Sequence, residues 1–161
     1  MNDLHKKIIL AIDNSEKLEI EKIFNLTSDR IDIYKLGYQT IFSQGFNIIN
    51  FVTSKNKKVF LDLKLADIPN TNLNGLSELI KRYAINFLTI HIMTGSKSLR
   101  NCIDTINNLR QNGYAVPELV GVTILTSLDI IELRNLFNTS NTMERVVKNM
   151  LKIGIENGIN H

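Results

Sequence analysis

Five short apolar runs punctuate the chain: Ile8–Ile12, Ile31–Leu36, Val59–Leu63, Phe87–His91 and Leu119–Leu125. Continuously apolar stretches of this length, as opposed to alternating ones, mark strands covered on both faces, the signature of a parallel sheet. Their first residues, at positions 8, 31, 59, 87 and 119, lie 23 to 32 residues apart, which is room for a strand and a return helix. The intervening stretches have helical spacing. Ser15–Phe24 brings Leu18, Ile20, Ile23 and Phe24 near one face, with Asn14 or Ser15 placed to cap it. Leu73–Tyr83 aligns Leu76, Leu79, Ile80 and Tyr83, while Leu99–Leu109 aligns Leu99, Ile103, Ile106 and Leu109 ahead of Gly113. The last helix, Thr142–Asn157, presents Val146, Val147, Met150, Leu151 and Ile155 and stops at Gly158. Ile159 then reads as the first residue of a sixth strand. The pattern predicts five successive βα units.

Right-handed βα repetition leaves two architectures, an open doubly wound sheet or a closed barrel. The first strand runs into AIDNSEK, without the glycines that a nucleotide-binding turn needs. The expected fold is therefore α/β, a (β/α)8 TIM-barrel type with the first five βα units present, since 161 residues fall short of the ~250 of a whole barrel. No linker rich in proline, glycine or serine breaks the chain, so residues 1–161 read as one incomplete domain.

Composition narrows the partners. Hydrophobic residues make up 43% and charged residues 22% of the chain, as in ordinary globular proteins. The formal charge is +3, but lysines such as Lys6, Lys7, Lys55, Lys57 and Lys58 are scattered, without the basic stripe and interleaved aromatics that nucleic acid requires. No stretch approaches the roughly 20 apolar residues that span a bilayer, and MNDLHKK followed by IILAI lacks the form of a secretory leader. A cytoplasmic protein with no nucleic-acid or membrane partner is expected. Cys102, the single cysteine, falls in a predicted helix and reads as a buried, inert thiol.

In a βα barrel the chemistry sits at the carboxyl ends of the strands. Those positions hold Asp13, Lys35, Asp62, Lys64, His91, Thr126 and Ser127. The third strand, VFLDLKLADIPNT, is the sharpest feature. Asp62 and Lys64 are two apart and share a face with Phe60, while Leu61, Leu63 and Leu65 take the other. Charges turned into a barrel interior are costly unless they pair, so the alternatives are a structural ion pair or a working one. Asp67 adds a second carboxylate near Lys64, which would keep that lysine protonated. A protonated lysine among carboxylates is a poor nucleophile but a serviceable acid.

Asp62, Lys64, Asp67, Ile68, Pro69, Asn70 and Thr71 together resemble the signature of the orotidine 5'-phosphate decarboxylase family. The resemblance extends to ILAID at Ile9–Asp13, YKLG at Tyr34–Gly37, LTIHIMTGSKSL at Leu88–Leu99 and GVTILTS at Gly121–Ser127, in the family's order. It implies conversion of orotidine 5'-phosphate to UMP in pyrimidine biosynthesis, without metal or other cofactor. It further implies that Asp13 and Lys35 contact the ribose and the charge network. Lys35, Asp62, Lys64 and Asp67 would form an alternating array, with Lys64 protonating C6 of the pyrimidine. Asp67, Ile68 and Thr71 would reach into the neighbouring site of a homodimer. Thr126 and Ser127 would lie beside the pyrimidine, Ser127 bonding the ring, and His91 matches a recurrent position that serves either packing or catalysis.

The sequence departs from the family in lacking its Pro-Gly-x-Arg loop and Gly-Arg pair, which grip the 5'-phosphate. INH, Ile159–His161, stands where the sixth strand should begin. The expectation is a fragment, a frameshifted gene product or half of a split enzyme, with impaired activity alone. Two alternatives remain. One is a magnesium-dependent sugar-phosphate relative, a 3-keto-L-gulonate 6-phosphate decarboxylase or hexulose-phosphate synthase, which would place glutamate where Lys35 stands. The other is a dimerising, pyrimidine-binding remnant without turnover.

Overall fold

A computed structural model describes residues 8–161. The first seven residues, with Lys6 and Lys7, lie outside the described residues. Five strands, β1 (Ile9–Ile12), β2 (Ile33–Gly37), β3 (Lys58–Leu65), β4 (Phe87–His91) and β5 (Glu118–Val122), form one sheet in the order β1-β2-β3-β4-β5. Every neighbouring pair is parallel. A doubly wound sheet reverses its strand order at a switch point. This sheet never does, and each stave lies beside its predecessor, as in the wall of a (β/α)8 barrel.

Register separates two faces. Ile12, Tyr34, Leu36, Val59, Leu61, Leu88, Ile90 and Leu119 point to the helical layer and are nearly or wholly buried. They pack against α1 (Lys17–Thr27) through Ile20 and Phe24, and against α3 (Asn47–Thr53) through Ile49 and Val52. Leu76 and Ile80 of α4 (Pro69–Arg82), with Leu99, Cys102 and Ile106 of α5 (Gly95–Gln111), complete this layer. The buried Tyr34 ring lies 4.7 Å from that of Phe24, and its hydroxyl is paired with Thr27 Oγ1 at 2.9 Å, so no polar group is stranded. The opposite parity, Ile9, Ala11, Lys35, Phe60, Asp62, Phe87, Thr89 and His91, faces the barrel interior. In this sheet that interior stands open along the β1 edge, where Ile9 is 43% exposed.

Element boundaries depart from the sequence pattern in instructive places. The fifth strand ends at Val122, not Leu125, because its pairing with β4 stops where β4 does, at His91; Ile124 still packs against the core, while Leu125 is exposed. The α1 N-cap is Glu16. Asn14 closes a short turn ahead of it instead, its Oδ1 accepting the Glu16 N–H at 2.9 Å. The apolar periodicity does not single out α2 (Tyr38–Gln44), α3 or α6 (Ile130–Phe137), which are only two turns long. α6 is announced by a capping box, with Asp129 accepting from the Ile131 and Glu132 backbones and Glu132 reaching back. After α7 (Met143–Glu156), no further strand follows among the described residues. Ile159 is nonetheless buried, and the Gly121 N–H donates to the His161 carbonyl at 2.8 Å, so the chain lies alongside β5 where a sixth stave would run. Gly121 permits this approach: a Cβ there would sit 2.8 Å from Ile92 Cδ1 and 3.0 Å from Ile159 Cγ2.

Candidate active site

β2 and β3 bring two lysines and an aspartate together at the carboxyl end of the sheet. Lys64 Nζ donates to Asp62 Oδ1 at 2.9 Å. Lys35 Nζ lies 3.6 Å from Asp62 Oδ2 and 3.5 Å from Asp13 Oδ1. The result is a continuous array of alternating charge, Asp13, Lys35, Asp62, Lys64, across the ends of β1 to β3. The Asp62 side chain is 13% exposed and is the innermost charge, whereas the Asp13 side chain, 60% exposed, is the solvated end. Burial opposes ionisation of Asp62. The hydrogen bonds from Lys64 and Thr89 and the positive charges of Lys64 and Lys35 outweigh it and hold the carboxyl below its usual value. Asp62 therefore stays a carboxylate at neutral pH.

The third strand does not run straight through this site. Phe60 and Leu61 pair with Phe87 and Leu88, yet Leu65 pairs with Ile90, so three residues, Asp62, Leu63 and Lys64, stand opposite Thr89 alone. Lys64 takes φ +44°, the left-handed region that residues other than glycine avoid. The expected sharing of a face by Asp62 and Lys64 is met, but by a bulge and not by simple alternation. Tyr38, following β2, donates its hydroxyl proton to the freed Leu63 carbonyl.

The other expected site residues stand apart from this array. Asp67 makes no ion pair with Lys64; its carboxylate turns back to accept the N–H of the next residue, Ile68, at 2.7 Å, just ahead of α4. The sequence reading that put Asp67 beside Lys64 within one chain is thus corrected. Ile68 is 66% exposed and precedes α4, whose first turn carries Thr71. Thr126 and Ser127 lie on the exposed loop after β5. His91 ends β4 on the interior face, 9% exposed, and its Nδ1 has no hydrogen-bond partner. Burial and then the Lys64 charge push its pKa down, with the Val122 backbone a smaller opposing influence, so the imidazole is neutral at pH 7. Sequence reasoning missed Thr89, which contacts both Asp62 and Lys64. Its position in phase with His91 on a strand already recognised was the available signal. Among the described residues no three His, Cys, Asp or Glu side chains are grouped to hold a metal ion, and no helix is long and apolar enough to cross a membrane.

Parallel staves in sequential order, with their charged groups gathered at the carboxyl ends, define a protein of the (β/α)8-barrel class. The chain belongs to the Orotidine 5'-phosphate decarboxylase / HUMPS family, whose model matches residues 6–159. It is 33% identical over 156 residues to the orotidine 5'-phosphate decarboxylase of Lactobacillus acidophilus, covering 96% of this chain and 66% of that protein. It is 32% identical to the Prochlorococcus marinus enzyme of the same name, covering 98% and 65%. The chain therefore spans about two thirds of the length of these relatives. The Lactobacillus acidophilus crystal structure superposes with a TM-score of 0.83 at 32% identity, covering 95% of this chain and 68% of that one. An uncharacterized conserved protein of Geobacillus kaustophilus superposes with a TM-score of 0.86 at 26% identity, covering 94% and 70%.

Proposed function

We propose that these residues carry out the decarboxylation of orotidine 5'-phosphate to UMP, the step that closes pyrimidine nucleotide synthesis. The observation that carries the reading is the Asp13–Lys35–Asp62–Lys64 array at the strand ends. The Asp62 carboxylate, fixed between two ammonium groups, faces the region where the substrate carboxylate would lie and raises the energy of that ground state. As the C6–carboxylate bond breaks, carbon dioxide leaves and its electron pair stays on C6. Lys64 then delivers an N–H proton to C6, giving UMP and a neutral amine that solvent reprotonates. No cofactor takes up the charge in this scheme; preorganised protein charges do. Lys35 and Asp13 would hold the ribose hydroxyls, and Thr126 and Ser127 would close over the pyrimidine from the loop after β5.

Asp67, Ile68 and Thr71 would serve the site of a second copy in a homodimer. Their support is that Asp67 and Ile68 turn away from the chain's own lysines, and that Ile68, Met93 and the stacked Tyr38–Phe42 pair expose apolar surface beside them. The Lys35 and Lys64 side chains are a quarter to a third exposed, so water screens part of the charge. We accordingly expect residues 1–161 taken alone to turn over slowly compared with a closed eight-stranded barrel, acting in the cytoplasm.

The test is release of labelled carbon dioxide from carboxyl-labelled orotidine 5'-phosphate, with protein in excess, in magnesium and in chelator. Release above the uncatalysed rate and indifferent to chelation supports the proposal. No release, or release only from 3-keto-L-gulonate 6-phosphate in the presence of magnesium, overturns it.

A further inference from the structure

We propose that Thr89 is a positioning residue for the Lys64–Asp62 pair, its single hydroxyl fixing both the lysine's strained backbone and the aspartate's carboxylate. The kinetic part of this inference rests on the decarboxylase reading; the structural part does not.

The geometry leaves the hydroxyl no choice of orientation. Thr89 Oγ1 lies 2.7 Å from the Lys64 backbone nitrogen and 3.0 Å from Asp62 Oδ1. An amide N–H can only donate and a carboxylate can only accept. Oγ1 must therefore accept from Lys64 and give its own proton to Asp62. Asp62 Oδ1 receives the Lys64 ammonium at the same time, at 2.9 Å, so backbone amide, hydroxyl, carboxylate and ammonium close a ring within two adjacent strands. Thr89 is 4% exposed, and water does not replace it. Branching at its Cβ restricts χ1, so the hydroxyl is held with little rotamer freedom.

The β-bulge explains why such a ring is needed. Three residues of β3 face one residue of β4, and that one residue is Thr89. Within this irregular stretch the Lys64 N–H is satisfied by the threonine side chain in place of the ladder, which offsets the cost of φ +44° at Lys64. Loss of the hydroxyl would free both the backbone and the carboxylate to relax. The groups facing Asp62 are Lys35 from β2, Lys64 from β3 and Thr89 from β4. Asp13 acts through Lys35, and the neutral His91 lies further along β4 on the same face. Among these, only Thr89 contacts both members of the pair while carrying no charge of its own.

Thr89→Val preserves shape and removes the hydroxyl; Thr89→Ser restores it. The apparent pKa of Asp62, followed by carbon-detected NMR of labelled aspartate, should rise in Thr89→Val and return in Thr89→Ser. Decarboxylation should fall by roughly tenfold or more in kcat, with KM within about threefold, and recover in the serine variant. Unchanged titration and unchanged kcat in Thr89→Val, or an equal loss in Thr89→Ser, would overturn the assignment. If the unaltered protein releases no carbon dioxide, the decarboxylase reading fails, while a shifted Asp62 titration still supports Thr89 as the positioning group. If Thr89→Val does not fold by circular dichroism, hydrogen exchange of the Lys64 amide in the unaltered protein decides. Protection like that of the β3 ladder amides supports the ring, and exchange as fast as an exposed loop overturns it.

Discussion

Replacing Asp62 by asparagine keeps the size of the side chain and its ability to accept hydrogen bonds, but it removes the one negative charge between Lys35 and Lys64. Their ammonium groups lie 3.6 and 2.9 Å from that carboxylate. At an effective dielectric of about 20, each such attraction is worth on the order of 5 kcal/mol gross. Both lysine side chains are a quarter to a third exposed, so solvation returned to them and screening cancel most of it, and Lys35 keeps Asp13. The expected net loss of stability is about 1–3 kcal/mol at neutral pH. The pH dependence fixes the cause. The folded-state pKa of Asp62 is depressed, so the folded state binds fewer protons than the unfolded chain as acid is added. The contribution is complete above the unfolded carboxyl value of about 3.9 and is lost as pH falls through the folded value. Urea unfolding of both proteins at a series of pH values checks this. The gap between them should be largest near pH 7 and close as Asp62 takes up its proton. A gap that persists unchanged to strongly acidic pH, or that is absent at pH 7, would refute the electrostatic account of the site.

Two further outcomes follow from the packing. Gly121→Ala should lower the thermal midpoint by several degrees, since the new methyl meets Ile92 and Ile159 at 2.8 and 3.0 Å; trimming the neighbour in Gly121→Ala/Ile92→Val should recover part of the loss. Burial pushes the Cys102 thiol up to about 11, so a disulfide reagent at mildly alkaline pH should leave the native protein unmodified and react fully once urea unfolds it.

The sheet was legible because its strands are short, almost continuously apolar runs: Phe87–His91 was recognised to the residue, and Val59–Leu63 lies wholly within β3. Helices longer than two turns showed their apolar stripe, whereas α2 and α3 are too short for periodicity to emerge. The β3 bulge was hidden because a bulge is a property of two strands, and nothing in VFLDLKL alone says that three of its residues must face one. For the same reason Lys35, Asp62 and Lys64 were visible as charges in apolar strands, while Thr89, a common strand residue, gained meaning only from the partner across the ladder. Asp67 was misplaced because closeness in sequence ignores the direction of the turn. The chain leaves the sheet after Leu65, and the Asp67 carboxylate serves the backbone of Ile68.

In the proposed reaction the Lys64 ammonium donates the proton that replaces the departing carboxylate. The most direct measurement is a single-turnover reaction in D2O, with protein in excess of orotidine 5'-phosphate, comparing the unaltered chain with Lys64→Ala for carbon dioxide release and for deuterium at C6 of the product. Deuterated UMP is expected from the unaltered chain, and neither carbon dioxide nor UMP above background from the alanine variant, whose circular dichroism remains native. Carbon dioxide release by Lys64→Ala within a few-fold of the parent would contradict it.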